Sequence, residues 1–410
     1  MRTTAPSPVR ASPRLPSDPG AGAPPSDLRI AVFTESMLPL VDGVSHTLAH
    51  LFATLREQGI DFRCYAPFVP PEGVAWRERV RRVASVACPL HPEYRVSLPG
   101  GRSVAADLET FAPTIVHVVS PTPMAVWAQR QALRLGVPVV GSFHTDFVAY
   151  FRYWGMRLLE PVGWRLLRAF YGRCRATYAP SPSTIAALRA HGLDNVRLWS
   201  RGVDAQRFSP AWRAPALRAA LGADERTPLV LVVSRLVKEK NLAQLAAIDA
   251  LLRARGRRFV LALVGDGPER KRLGRALPHA VFAGHQTGTA LSRWYASADV
   301  FVLPSATETF ANVVQEAMAS GVPAVVADQG GPPGVIQPGR SGLVARAGDA
   351  RDFADRIDLL LRDGELRATM GRAARAHAEG RTWDAVNAVL VREYEALARP
   401  ADRAAPVARP

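Results

Sequence analysis

Short runs of aliphatic and β-branched residues, each followed by a loop and a helix-length amphipathic stretch, recur along most of the chain. Leu28-Arg29-Ile30-Ala31-Val32-Phe33 reads as a short buried strand, followed by a loop through Pro39 and Gly43 and a helix from about Ser45 to Gln58. The alternation recurs at Ile115 to Val119, in a helix near Ala125 to Leu135, and in the run Gly136 to Ser142. It pauses between Pro210 and Pro228, then restarts with Leu229 to Val233, a helix from Leu242, and Phe259 to Val264. Val281 to Ala283, Val300 to Leu303 and Val322 to Val326 carry it on, to helices ending near Leu397. Continuous apolar strands of this kind belong to parallel sheets covered on both faces. The predicted class is α/β: two doubly wound, Rossmann-like domains, residues 28–205 and 228–380, facing each other across a cleft. Residues 206–227 read as a linker and residues 381–397 as a terminal helix that packs back on the first domain. Residues 1–27, crowded with Pro, Ser, Ala and Gly, read as a disordered leader, and residues 398–410 as a disordered tail.

Open α/β sheets bind ligands beyond the carboxyl ends of their strands, so the loops there hold the candidate chemistry. After the strand Val300 to Leu303, small polar residues lead through Glu308 into a predicted helix beginning around Phe310 and running past Glu316. A helix start offers unpaired amides and a positive dipole end to a phosphate, here near Phe310, Ala311, Asn312 and Val313. Eight residues on one helix turn a side chain by about 80° and raise it roughly 12 Å, so both glutamates are expected to border one side of it. Carboxylates accept hydrogen bonds from vicinal hydroxyls, and two of them flanking an anion site suit a sugar nucleotide.

Arg235 and Lys240 fall in the loop after Leu229 to Val233, where two cations clamp a diphosphate or else form a charged surface. Gly265-Asp266-Gly267-Pro268 makes a tight turn at the same sheet edge. Gly43, in the first domain's opening loop, permits close approach of backbone to phosphate. His144 follows a strand end and either meets a substrate or is a satisfied structural histidine. Arg201-Gly202-Val203-Asp204 precedes the linker and is expected to line the cleft.

Hydrophobic residues at 48% and charged ones at 21% are ordinary for a globular protein of two or three domains. Cys64, Cys88 and Cys174 lie too far apart for a disulfide framework or a metal-ligand spacing, and fit a reducing cytoplasm. No apolar run approaches the ~18 residues of a membrane span, which implies a soluble or peripheral protein. The net charge of +16 suits nucleic acid, an anionic membrane or anionic substrates, yet no zinc-ligand spacing or aromatic RNA-binding signature accompanies it. Nucleic acid is therefore not expected as a partner.

Taken together, the Gly43 loop, Phe143 to Asp146, Arg201 to Asp204 with Phe208, Ser234 to Asn241, Gly265 to Pro268, Glu308 and Glu316 resemble the retaining glycosyltransferases of family 4. The resemblance covers residues 28 to about 395. It implies the GT-B arrangement of two Rossmann-like domains and is nearest to bacterial GDP-mannose-dependent mannosyltransferases and sulfoquinovosyl or other glycolipid transferases. By this resemblance, Arg235 and Lys240 hold the donor diphosphate, Glu316 the ribose hydroxyls and Glu308 the transferred sugar. Gly43, Gly265 and Arg201 border the donor, the amides of Phe310 to Val313 complete the anion site, and His144 contacts the donor sugar. Ala311 stands where many relatives have Gly. The resemblance further implies a nucleotide-sugar donor, a lipid or glycan acceptor, no cofactor and no metal. Alternatives within reach of the sequence are a UDP-hexose-dependent glycolipid synthase and a sugar-nucleotide epimerase, with a basic nucleic-acid-binding protein as the non-enzymatic one.

The segment from Arg157 to Arg175 is basic and aromatic. On a helical wheel Arg157, Arg165, Arg168 and Arg175 oppose Leu159, Val162, Leu166 and Phe170, with Trp154, Trp164 and Tyr171 as interfacial side chains. Pro161 interrupts this helix near its start. It is read either as a surface that touches anionic lipid, peripheral on the inner face of the cell membrane, or as a domain helix with one buried face.

Overall fold

The computed structural model describes residues 27–399, apart from 41, 89–90, 147, 149–150 and 152–154, and leaves the side chains of residues 91–93 undescribed. The expected leader up to residue 26, the tail beyond residue 399 and Trp154 lie outside the described residues.

Among the described residues fifteen strands occur, most of them followed by a helix: β1 Arg29–Phe33, β2 Asp61–Ala66, β3 Val80–Arg82, β4 Ser85–Cys88, β5 His91–Ser97, β6 Ile115–Val118, β7 Val139–Ser142, β8 Ala176–Ala179 and β9 Val196–Leu198, then β10 Leu229–Val233, β11 Val260–Val264, β12 Val281–Gly284, β13 Val300–Leu303, β14 Ala324–Ala327 and β15 Gly342–Ala345. Seven of them form one sheet in the order β3-β2-β1-β6-β7-β8-β9, and six form a second in the order β12-β11-β10-β13-β14-β15. Every pairing within these two sheets is parallel, for example Val32 opposite Cys64 and His117, and Val230 opposite Leu261 and Val300. The remaining pair, β4 and β5, is an antiparallel hairpin.

Each large sheet is covered on both faces by apolar side chains. Alternate residues of β10 divide between two clusters: Leu229, Leu231 and Val233 pack toward Phe301 and Met318, while Val230 and Val232 pack toward Leu245 and Phe353. Full burial of each such side chain contributes about 1.5–3 kcal/mol. The first sheet is built the same way, and one of its two faces is completed from the far end of the chain. Leu390, Val391 and Tyr394 of the helix Trp383–Ala398 join Ile30, Val32 and Leu48 in one core cluster. The Tyr394 hydroxyl is hydrogen-bonded to His117 Nδ1 at 2.6 Å, and Asn387 Nδ2 donates to Thr54 Oγ1 at 3.0 Å. The chain returns through a close contact, since a Cβ on Gly202 would lie 2.4 Å from the backbone of Trp383.

Residues 206–227, expected as a linker, are built into the second domain. Phe208 and Ala223 lie in its core, and Arg218 on the short helix Pro215–Ala220 is ion-paired to Asp299 at 2.7 Å with both side chains largely buried. Among the described residues no helix is long and apolar enough to cross a membrane.

Candidate active site

The loop from β13 to the helix Asn312–Ala319 is the centre of the site. The helix begins two residues later than expected, because Ala311 adopts φ 78° and ψ 75°, a left-handed conformation that ends the preceding loop. For a residue with a Cβ this costs about 1 kcal/mol. The consequence corrects the expected geometry of the two acids: Glu308 lies in the loop, and only Glu316 lies on the helix. They do not share one helical face.

What holds the loop is a pair of glycines that sequence reasoning passed over. A Cβ on Gly330 would come within 2.6 Å of the Glu308 carbonyl oxygen, and one on Gly331 within 2.1 Å of the Thr309 carbonyl oxygen. Gly331 N–H donates to the Glu308 carbonyl at 2.5 Å. A Gly-Gly pair just after a strand was the available signal, since such pairs mark close backbone approach. No side chain caps the helix Asn312–Ala319 and no acid occupies its first turn. Its leading amides therefore keep their capacity to bind an anion, reinforced by the positive dipole end.

Lys240, on the 3-10 turn Lys238–Lys240 after β10, is ion-paired to Glu308 with both side chains about four-fifths buried. Thr307 Oγ1 donates to the Glu239 carbonyl at 3.2 Å and ties the two loops together. Arg235, on the same loop, is exposed and lies 3.8 Å from Glu239. The structure thus joins Lys240 to Glu308 directly and leaves Arg235 at the rim. Gly265 has φ 133°, and a Cβ there would meet the Ser234 carbonyl oxygen at 1.9 Å. Its lack of a side chain is required by that neighbouring loop, a reason independent of any donor contact. Glu316 accepts a 2.7 Å hydrogen bond from the Tyr295 hydroxyl. Burial pushes its carboxyl above the usual range, and the Tyr295 bond and the Arg207 charge act in the other direction.

Across the cleft, a Cβ built on Gly43 would lie 3.6 Å from Asn312 Nδ2, so the first domain's opening loop faces the uncapped helix start. Asp42 caps its own helix, Gly43–Glu57: its Oδ1 accepts from the N–H groups of Val44 and Ser45 at 2.8 Å each, and Ser45 Oγ accepts from Asp42 N–H. His144 is buried beside this cleft, and its carbonyl accepts from Thr309 Oγ1 at 2.6 Å. Ser181 and Thr184 hydroxyls donate to the Thr309 carbonyl at 3.1 and 2.8 Å. A cavity of about 100 Å³, lined among others by Phe143, Asp146, Thr184, Glu308 and Thr309, lies at this junction.

Arg201 is placed differently from the expectation that it lines the cleft. It is 5% exposed, and its guanidinium donates to His144 Nδ1 at 2.6 Å and to the carbonyls of Trp199 and Ser200. Burial lowers its pKa to about 9. Burial first, then the charge of Arg201, holds His144 well below the usual imidazole range, so His144 is neutral at pH 7. With Nδ1 accepting, the ring proton is on Nε2, which has no partner among the described residues. Arg201 therefore orients His144.

A further carboxyl at this sheet edge was missed. Glu35, in the loop after β1, is pushed up to about 7, mainly by burial, with hydrogen bonds from Thr122 and Ser97 opposing. Its position in the first strand-to-helix loop was the readable signal. Among the described residues, no group of three or more His, Cys, Asp or Glu side chains is arranged to hold a metal ion.

The Arg-rich segment divides in a way the helical wheel did not show. Arg157–Leu159 is a 3-10 turn, and the helix Glu160–Tyr171 starts with Pro161 in its first turn, where a missing N–H is harmless. Trp164, Phe170 and Tyr171 are buried: Trp164 stacks on His191 at 3.7 Å, and Tyr171 hydroxyl donates to the Ser142 carbonyl at 2.9 Å. Neither aromatic ring is interfacial. Leu158, Leu159, Val162 and Leu166 are exposed, Leu158 by 94%, and Arg165 shares their side of the helix.

Comparison with known proteins identifies the family. Residues 41–207 match the family model described as Glycosyltransferase Family 4, and residues 214–377 match that of Glycosyl transferases group 1. The chain is 37% identical over 376 residues to a GDP-mannose-dependent alpha-mannosyltransferase of Mycobacterium tuberculosis, covering 90% of this chain and 97% of that protein. It is 35% identical over 385 residues to a sulfoquinovosyl transferase of Arabidopsis thaliana, covering 90% of this chain and 74% of the relative. In fold it resembles the sucrose-phosphate synthase of Thermosynechococcus elongatus, with a TM-score of 0.72 at 20% identity over 90% of this chain and 99% of that one. With the two facing parallel-sheet domains and the loop constellation between them, the chain belongs to the family 4 glycosyltransferases and has their GT-B fold.

Proposed function

We propose that this glycosyltransferase moves mannose from GDP-mannose to a lipid or glycan acceptor, with retention of anomeric configuration and without a metal ion. The observation that carries the reading is the uncapped start of the helix Asn312–Ala319, faced by Gly43 and flanked by the Lys240–Glu308 pair. In this reading a diphosphate lies against the leading amides, with Lys240 and the long Arg235 side chain supplying positive charge. On the same reading Glu308 takes the hydroxyls of the transferred sugar and Glu316 those of the ribose. His144 offers its Nε2–H to a sugar oxygen, held in that tautomer by Arg201.

In the transfer step the bond from the anomeric carbon to the diphosphate oxygen breaks, and the acceptor oxygen attacks the same face of an oxocarbenium-like ion pair. The acceptor's proton passes to the departing phosphate oxygen. Charge that develops on the diphosphate is met by Lys240 and the helix amides, groups already in place before reaction, with Arg235 reaching in from the rim. The identity to mannosyltransferases across nearly their whole length supports the mannosyl donor. The exposed face of Leu158, Val162 and Leu166 beside Arg165 supports a lipid acceptor reached from an anionic membrane surface, on the inner face of the cell membrane. A UDP-hexose donor is the second reading.

The test is calorimetric titration of GDP-mannose and of UDP-glucose into the protein with EDTA present, followed by proton NMR of the anomeric signal of the transferred sugar. Tighter binding of GDP-mannose and an α-linked product are expected. Preference for the UDP sugar selects the second reading, and a β-linked product or loss of transfer with EDTA contradicts the mechanism.

A further inference from the structure

The second domain holds another cavity, which shares no lining residue with the cleft. It measures about 420 Å³ and is walled chiefly by Gln337, Arg340, Ala376, His377 and Arg381. Its size is that of small-molecule sites, roughly 300–1,000 Å³. No acidic residue lines it.

Elsewhere in the domain, several arginines are neutralised by acids. Arg213, Arg218, Arg253, Arg257 and Arg375 all pair with carboxylates. The guanidinium groups of Arg340 and Arg381 have no ion-pair or hydrogen-bond partner among the described residues. His377 Nε2 is buried without a partner. Burial, Arg381 and Arg340 all hold His377 below the usual imidazole range, and the Val335 carbonyl opposes them, so the fields of both arginines converge on this ring. Cations gathered without a counter-charge repel one another, and an oxyanion placed between them turns that repulsion into attraction.

We propose that this cavity is a binding site for a phosphate group, carried either by inorganic phosphate or by a phosphorylated sugar. The planar forks of Arg340 and Arg381 match phosphate oxygens in bidentate geometry. His377 Nε2 accepts the P–O–H of a monoanion, or donates to a dianion once protonated. The two walls come from segments that also join the domains. The Arg381 carbonyl accepts from Val203 N–H at 2.9 Å, where the chain crosses back to the first domain. The Gln337 segment follows Gly334, at which a Cβ would lie 3.2 Å from both Pro182 and Ser183. A phosphate in the cavity fastens these two segments to each other.

The experiment is calorimetric titration of inorganic phosphate, and separately of a hexose 6-phosphate, into the full chain carrying Lys240→Ala to weaken anion binding in the cleft. One saturable phosphate site is expected, weakened at least tenfold by adding Arg340→Ala with Arg381→Ala. Arg340→Ala alone, a surface change that leaves the crossover intact, is expected to weaken it severalfold. Tighter binding of the hexose phosphate assigns the site to a phosphomonoester, and equal binding assigns it to the free anion. Absence of a saturable site, or one that neither arginine variant alters, overturns the proposal.

Discussion

Two helices point their amino ends at the same cleft, and they are finished in opposite ways. Asp42 caps the helix Gly43–Glu57 with two 2.8 Å hydrogen bonds in a reciprocal pair with Ser45, whereas the helix Asn312–Ala319 has no side-chain cap and is entered through the left-handed Ala311. A carboxylate on the first helix already satisfies leading amides and the dipole, so a second anion there meets repulsion. The second helix keeps those amides for a ligand and holds Lys240 nearby. On the proposed function, one start serves stability and the other serves binding, a division that follows from the residues on either side of the gap.

The sharpest way to break this comparison is Lys240→Ala. Removing a preorganised charge from beside the start of the helix Asn312–Ala319 is expected to cost roughly 2–4 kcal/mol of transition-state stabilisation, on the order of 30- to 1,000-fold in kcat/KM. Steady-state rates that stay near the wild-type value would mean that the diphosphate lies elsewhere. Gly43→Val tests the space between the two starts. A single Cβ at 3.6 Å from Asn312 Nδ2 makes ordinary contact, but a branched side chain fills the room a diphosphate needs, so KM for the donor should rise about tenfold or more with folding intact.

Asp42→Ala should do the reverse. Loss of the cap is expected to lower stability by about 1 kcal/mol while transfer rates change little, as read by urea denaturation alongside the rate assay. A rate loss as large as that of Lys240→Ala would remove the distinction between the helices. Glu35, on the loop that leads to the capped helix, adds a pH signature. Its folded pKa of about 7 exceeds the unfolded value of roughly 4.3, so the folded protein retains a proton that the unfolded chain releases. Its contribution is fully present below about pH 4.3 and is lost as pH rises through 7. Thermal melts between pH 5 and 8 should therefore show a steeper decline for the wild type than for Glu35→Gln, and equal slopes would contradict this. The smallest effect is expected from Ala311→Gly, which relieves the left-handed strain by up to about 1 kcal/mol. A loss of stability in that variant would show that Ala311 is not strained.

Much of the fold was legible because it is written in local pattern. Leu229–Val233 and Val300–Leu303 are strands with the expected ends, since runs buried on both faces leave no ambiguity of period. Strand β2 was not singled out: Asp61 and Arg63 interrupt its apolar residues, and only the Arg63–Asp107 pair and neighbouring Tyr65 show why the polar side chains are tolerated. In the site, residue types were readable and relations were not. Glu308, Lys240 and Gly43 do converge, but the separation of Glu308 from the helix of Glu316 depends on Gly330 and Gly331, about twenty residues downstream. Likewise, Trp164 and Tyr171 are interfacial by composition and buried by packing, because His191 and Ser142 reach them from other elements.

The most direct measurement is a crystal structure of the protein soaked or co-crystallised with GDP, refined for the position of the β-phosphate. The expected result is a phosphate within hydrogen-bond distance of the amides at the start of the helix Asn312–Ala319, with Lys240 Nζ in contact. A phosphate seated at the Asp42-capped helix, or a nucleotide bound without contact to either, would contradict the account.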